Sequence, residues 1–95
     1  MPSIDFRMHT CRLLIEIEEF KKAVKVLDCI IAEEDESAEA WYLLAFSLTK
    51  LAKYNNANEC IRNVELLIEQ QKILDEELVS GTKELRSEIN QGLKG

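Results

Sequence analysis

The residues that decide the fold are WYLLAFSL (41–48) and, after a short gap, YNNANECI (54–61). In the first stretch Trp41, Leu44 and Leu48 are three and four residues apart, which is the spacing of one face of an α-helix. Ala57 and Ile61 begin a second stripe with the same spacing. Helices joined by so short a linker must fold back on each other, so this segment predicts a helical hairpin.

The same pattern occurs twice, at an offset of 34 residues. The aligned pairs are Leu14 with Leu48, Ile17 with Leu51, Phe20 with Tyr54, Ala23 with Ala57, Leu27 with Ile61, and Ile30 with Val64. Small residues recur as well, since Cys11 aligns with Ala45. We expect Cys11, Ala23, Ala45 and Ala57 to lie where paired helices cross closely. A larger side chain there would overpack the hairpin by about 1–3 kcal/mol.

This framework resembles the tetratricopeptide (TPR) repeat, with Ala45 in place of the usual Gly and Glu69 where the repeat often ends in Pro. The missing Pro predicts that the last helix of the second repeat continues past residue 70. The resemblance implies an all-α fold, a fragment of a right-handed α-solenoid in a single domain, 1–95. Its parts would be two TPR hairpins, 4–37 and 38–71, and a C-terminal capping helix, 72–91.

The helices of the first repeat are expected at about 4–18 and 20–33. The predicted turns are Glu18-Glu19 in the first hairpin and Lys53-Tyr54-Asn55 in the second. Met1–Asp5 offers no capping helix, so we expect the first hairpin to expose an apolar flank. The chain would then belong to a longer array or self-associate through that flank.

The end segment shows the signals of one more helix. Asp75 is a candidate N-cap, followed by acidic residues in the first turn. Gly81 lies within the apolar stripe and predicts that the helix is kinked or split there. Gly92 and Gly95 predict a frayed tail. The stripe itself consists of Leu78, Leu85 and Ile89.

Composition favours an acidic helical protein. The net charge is −6, with 32% charged residues, one Pro and three Gly. An acidic surface repels phosphate backbones and anionic lipids, so nucleic acid and membranes are not expected partners. It attracts a basic protein or peptide; alternatively the charge only keeps the chain soluble. With no signal peptide and no CxxC pair, we expect a cytoplasmic and nuclear protein with reduced, buried thiols.

No catalytic constellation is present in the sequence. His9 and Cys11 are two residues apart and would point to roughly opposite faces of a helix. The acidic run Glu33–Glu36 lacks the spacing and the Gly of a calcium loop. It is either a solvated loop or a segment whose charge attracts a basic ligand. No phosphate-binding loop occurs. We therefore expect a protein that is not an enzyme and has no catalytic residues, metal or cofactor.

The TPR resemblance implies that the first helix of each hairpin lines a binding groove. The groove positions would be Asp5, Met8, Arg12, Ile15, Glu16, Glu39, Tyr42, Phe46, Thr49 and Lys50. Tyr42 and Phe46 lie one turn apart and form an aromatic pair. The pair is either a ligand anchor or a contact with the C-terminal helix. The Lys and Asn clamp of TPR domains that bind chaperone tails is absent.

The order of several motifs is similar to the C-terminal repeats of the dedicated assembly chaperones of large-subunit ribosomal protein four. These motifs are PSIDFR (2–7), LLIE (13–16), EF (19–20), EED (33–35), WYLL (41–44) and DEEL (75–78). The resemblance implies that the chain shields a basic, unassembled segment of a ribosomal protein. The alternative is a generic TPR scaffold that joins two other proteins, whose binding would not depend on salt.

Overall fold

The structure is a computed structural model and describes residues 4–94, all of whose regular structure is helical. Five helices follow in order: α1 (Ile4–Glu16), α2 (Phe20–Glu33), α3 (Ala38–Lys50), α4 (Tyr54–Gln71) and α5 (Glu76–Lys94). The expected all-α class is confirmed. The right-handed solenoid arrangement of TPR repeats stays a prediction.

Each helix packs against the next one in the chain, and α5 packs against both α4 and α3. Side-chain contacts fix the direction of these pairings. Arg86 near the middle of α5 donates to Glu65 of α4 over 2.6 Å and also to Asn58, and Gly92 near the end of α5 lies against Tyr54 at the start of α4. Arg7 near the start of α1 pairs with Glu33 at the end of α2. These contacts show that α2 runs back along α1, and α5 back along α4.

The core is continuous through all five helices. Its largest fully buried aliphatic side chains are Leu27, Ile30, Ile61, Val64 and Ile89. The four small residues expected at helix crossings, Cys11, Ala23, Ala45 and Ala57, are all 0% exposed. The Sγ atom of Cys11 lies 3.9 Å from the carbonyl oxygen of Ala23. Close approach of paired helices therefore depends on these small side chains.

Three helices end in the same hydrogen-bonded motif, with one residue in the left-handed region. These residues are Glu18 (φ 62°), Ala52 (φ 60°) and Lys72 (φ 52°). After α3, the Ala52 amide donates to Thr49 and the Lys53 amide to Leu48, the pattern of a Schellman cap. Glu18 and Ala52 are 34 residues apart, so the repeat extends to the backbone conformation.

The helix starts are capped by side chains where the sequence offers them. The Ser37 hydroxyl accepts from the Ala40 amide at 3.2 Å. The Asp75 Oδ1 atom accepts from the amides of Glu77 and Leu78, at 3.0 and 3.3 Å, which confirms the predicted N-cap of α5.

Several helix boundaries differ from the sequence expectation, and α5, expected at 72–91, spans Glu76–Lys94. The turn placed at Lys53–Asn55 is wrong, because α4 already begins at Tyr54 and the linker is 51–53. Helix α1 ends at Glu16 rather than at residue 18, because the left-handed conformation of Glu18 closes it earlier. Helix α4 does continue past residue 70, but only to Gln71.

The glycines of α5 have another role than the one expected. Gly81 does not split the helix, which is continuous from Glu76 to Lys94; a Cβ atom there would lie 2.9 Å from the Tyr42 hydroxyl. Gly92 does not begin a frayed tail, because α5 continues to Lys94 and the ring of Tyr54 occupies the place of its Cβ. Both glycines make room for a tyrosine from another helix. Gly95 and residues 1–3 lie outside the described range, and Ile4 and Asp5 belong to α1.

Candidate protein-binding surface

An acidic groove runs between α3 and α5, and we call it the α3–α5 groove. The larger of its two clefts, of about 340 Å³, is lined by Glu39, Tyr42, Leu43, Asp75, Glu77 and Leu78. A smaller cleft of about 100 Å³ follows, lined by Tyr42, Phe46, Gly81, Glu84, Leu85 and Glu88. Tyr42 belongs to both clefts, so one aromatic ring lies between two sets of carboxylates.

Tyr42 is held in place by α5. The ring is half-buried against Gly81, which leaves space for the hydroxyl. Burial raises the pKa of the Tyr42 hydroxyl, and the nearby charges of Glu84 and Glu88 raise it further. The hydroxyl therefore remains protonated and can donate a hydrogen bond near neutral pH.

Phe46 is packed on two sides by other parts of the protein. Its ring makes an edge contact with Phe20 of α2, with 6.3 Å between the centroids. The Nζ atom of Lys50 lies 5.2 Å from the ring centroid and 3.9 Å from Glu88 of α5. Tyr42 thus contacts the C-terminal helix, as the alternative to the anchor hypothesis expected, whereas the ring of Phe46 contacts α2; Tyr42 still lines both clefts.

The expected groove residues of the first repeat divide into four groups, one of which is Ile15, half-buried against the core. Met8 is only 6% exposed, so its assignment to the groove surface is corrected: its side chain belongs to the core. Arg12 pairs with Glu39 across α1 and α3, which brings the two repeats together at this surface. Asp5 and Glu16 are exposed on α1, and neither lines the two clefts of the α3–α5 groove.

Thr49, also assigned to the groove, is buried as well. Its hydroxyl donates to the carbonyl of Ala45 at 2.7 Å, within the same helix. A threonine whose hydroxyl donates to a backbone carbonyl of its own helix can lie inside a helical core.

The acidic run at the end of α2 and in the loop after it makes internal contacts through one carboxylate and two backbone oxygens. Glu33 accepts a hydrogen bond from Arg7, and this bond lowers the pKa of the carboxyl. The backbone oxygen of Glu36 accepts from Gln71 at 2.8 Å, and that of Asp35 accepts from the Trp41 indole at 2.8 Å. The loop is therefore fastened to the second hairpin.

Sequence reasoning missed the contribution of α5 to the groove. Glu77, Glu84 and Glu88 follow one another at helical spacing on the side that faces α3. The sequence did contain a signal for this contribution: Gly81 lies on the same helical face as these three glutamates. A glycine inside an amphipathic helix marks either a break or a close neighbour, and only the position of Tyr42 distinguishes the two.

The arrangement offers cation recognition rather than an evident reactive group. Cys11 is buried, which raises the pKa of its thiol to about 11, and His9 is exposed on the other side of α1. Within residues 4–94, no three His, Cys, Asp or Glu side chains are placed to hold a metal ion. None of the helices described here is long and apolar enough to span a bilayer.

The chain is similar to a protein whose name describes a role. Over 57 residues it is 39% identical to a protein of Emericella nidulans named probable assembly chaperone of rpl4. The matched segment covers 60% of this chain and 15% of the relative. No protein-family profile matches the chain. This likeness supports the relation to ribosomal-protein assembly chaperones that the sequence motifs indicated, and the TPR assignment remains a prediction.

Proposed function

We propose that this chain is a non-enzymatic protein-binding module of a ribosomal-protein assembly chaperone. The observation on which this depends is the 57-residue similarity to a probable assembly chaperone of rpl4. Its client would be a basic segment of an unassembled ribosomal protein, rpl4 being the first candidate. The chain would act in the cytoplasm and the nucleus, where ribosomal proteins are made and assembled.

The α3–α5 groove supports this proposal. Glu77 and Glu84 are exposed carboxylates on either side of Tyr42. A Lys or Arg side chain of an extended client could lie over the tyrosine ring and reach either carboxylate, combining a cation–π contact with ion pairs. A client of this kind is disordered when free, and several charged contacts offset the entropy lost when it is ordered.

The test is binding of purified rpl4 by the purified chain across a range of salt concentrations. Exposed ion pairs are screened by salt, so we expect the affinity to fall steeply as salt rises. Salt-independent binding of some other protein, with no binding of rpl4, would favour the generic scaffold.

A charge-matched pair of variants locates the site. Glu77→Gln with Glu84→Gln should weaken rpl4 binding by about tenfold, at about 0.5–1 kcal/mol for each exposed carboxylate. The control, Glu59→Gln with Glu69→Gln, changes net charge equally on the exposed side of α4. Equal loss in both variants would show that net charge, and not the groove, attracts the client.

A further inference from the structure

Lys50 occupies one end of the α3–α5 groove. Its Nζ atom lies 5.2 Å from the centroid of the Phe46 ring and 3.9 Å from the carboxylate of Glu88 on α5. A cation over an aromatic ring and beside a carboxylate is the same arrangement that the groove would offer to a client at Tyr42. Phe46 and Glu88 both line the smaller cleft, so the chain's own ammonium group occupies a cation-binding position at its edge.

The carboxylates at the opposite end of the groove are also engaged within the chain. Glu39 pairs with Arg12 of α1. Asp75 caps α5, since one of its carboxylate oxygens accepts from the amides of Glu77 and Leu78. These two acidic side chains are therefore less available to a ligand than their position in the larger cleft suggests.

Two carboxylates between these ends remain open. Both Glu77 and Glu84 are exposed, and neither forms an ion pair with any of residues 4–94. They are seven residues apart, so they lie on one face of α5 with about 10 Å of helix axis between them. Gly81 lies between them and leaves space for the Tyr42 hydroxyl. The open part of the groove thus offers two anionic positions on either side of an aromatic ring.

The other exposed side of α5, which we call its outer side, is polar. It carries Glu76, Lys83, Ser87 and Asn90. At about 100° per residue these positions lie about 80–140° around the helix from Glu77, so they do not extend the groove.

We propose that Lys50 is an internal ligand of the α3–α5 groove and decides how many cations a client can place there. Two basic side chains of the client bind at Glu77 and Glu84, beside Tyr42, and a third binds at Glu88 only by displacing Lys50. An extended chain advances about 3.1–3.4 Å per residue, so basic residues three apart match the two open carboxylates. This charge pattern describes the client of the proposed function, and it rests on that function.

The Lys50–Glu88 pair is exposed enough to exchange with a ligand. The two side chains are 41% and 51% exposed, and ion pairs of this kind are screened by water and salt. A client cation that displaces Lys50 forms one ion pair and breaks another, so a third basic residue adds almost nothing to the affinity. Removing the charge of Lys50 changes this balance, because Glu88 and Phe46 then lack a cation.

The test is an NMR titration of the chain and of Lys50→Met with three short peptides, at about 0.15 M salt so that long-range attraction is screened. One peptide has two arginines three residues apart in a background of serine and glycine. The other two add a third arginine two residues beyond the pair, at one end or at the other, so that one of them suits either direction of the bound chain. Two extended residues span the about 6 Å of helix axis from Glu84 to Glu88.

The peptides contain no apolar residue, because the chain also has an apolar side at α1. There Leu13 is 48% exposed, and Ile17, just after the helix, is 67% exposed. Neither residue lines the two clefts of the groove. A peptide without apolar side chains therefore reports on the groove and not on this surface.

We expect the unaltered chain to bind all three peptides with affinities that agree within about twofold. Lys50→Met should bind one of the three-arginine peptides about fivefold more tightly than the unaltered chain does, and the two-arginine peptide at most about twofold more tightly. Adding Glu88→Gln to Lys50→Met should remove the fivefold gain. The control Lys25→Met removes the same charge from an exposed position of α2 that lines neither cleft, and it should show no such gain.

The proposal would be overturned by a third arginine that strengthens binding to the unaltered chain fivefold, because Lys50 would then not occupy the position. The absence of a gain in Lys50→Met, an equal gain in Lys25→Met, or no binding of any peptide would overturn it as well. Binding of rpl4 by the unaltered chain is measured beside the peptides. If rpl4 binds and the peptides contradict the role of Lys50, the proposed function stands alone; if the peptides follow the expected pattern and rpl4 does not bind, only the assignment of the client fails.

Discussion

At the residue scale, the left-handed residues at helix ends are where this sequence is least suited to its fold. Ala52 adopts φ 60° in the Schellman cap after α3. A side chain in this region costs about 1 kcal/mol relative to glycine, which also loses more entropy on folding. We expect Ala52→Gly to raise the free energy of unfolding by about 0.5–1 kcal/mol in urea titrations. Ala32→Gly, on the exposed side of α2, should lower it by a similar amount; if both lower it, the cap geometry is wrong.

The buried thiols make stability depend on pH in the alkaline range. Burial raises the pKa of Cys11 and Cys60 to about 11 each. A group whose pKa is raised by folding stabilises the protein below its unfolded pKa, and this contribution is lost as pH rises through the folded value. Stability should therefore fall between about pH 9 and pH 11.

Cys11→Ala tests that dependence, because the aligned residue in the second repeat is Ala45. The variant should show a shallower loss of unfolding free energy with rising pH. Cys29→Ala, at an exposed thiol, should leave the slope unchanged. An equal slope in all three proteins would mean that other groups, such as Tyr42, dominate the alkaline loss.

At the scale of the elements, the position of α5 depends on the absence of a side chain at Gly81 and Gly92. A methyl group at Gly92 would overlap the ring of Tyr54, whereas at Gly81 it would meet only the far end of Tyr42. Overpacking costs about 1–3 kcal/mol, and replacing a helical glycine by alanine returns about 1 kcal/mol. We expect Gly92→Ala to destabilise by about 1 kcal/mol and Gly81→Ala to be nearly neutral in thermal or urea unfolding. The reverse order would show that the end of α5 is free to move away from α4.

Most elements of this fold could be predicted from periodicity, but several of their ends could not. The apolar stripes gave α2 its bounds, and Asp75 gave the start of α5. The end of α3 was missed because an alanine at residue 52 carries no sign of a left-handed conformation, which only the surrounding hydrogen bonds impose. The residues that α3 contributes to the groove were among those expected from the sequence. Those of α5 were not, since they reach the groove through contacts between residues far apart in sequence.

At the scale of the whole molecule, the core joins all five helices, so unfolding should be one cooperative step. Ile89 of α5 is 0% exposed, and Ile89→Ala should cost about 2–4 kcal/mol, a large part of the stability of so small a domain. Trp41 is the sole tryptophan and lies on α3. Its fluorescence and the helical circular dichroism should therefore shift to lower urea together.

The matched control is Leu93→Ala, at an exposed position of the same helix, which should shift neither signal by more than about 0.5 kcal/mol. If Ile89→Ala moved the circular dichroism and left the Trp41 transition in place, α5 would be a separately folding appendage.

The contrast between the polar outer side of α5 and the apolar side of α1 also decides how these molecules can assemble. Head-to-tail growth into filaments needs two complementary ends, and this molecule has ends of opposite character. An apolar end can bury itself only against another apolar surface. If native molecules of this chain associated through that apolar side, their assembly would therefore stop at a pair about a twofold axis and would not grow into a filament.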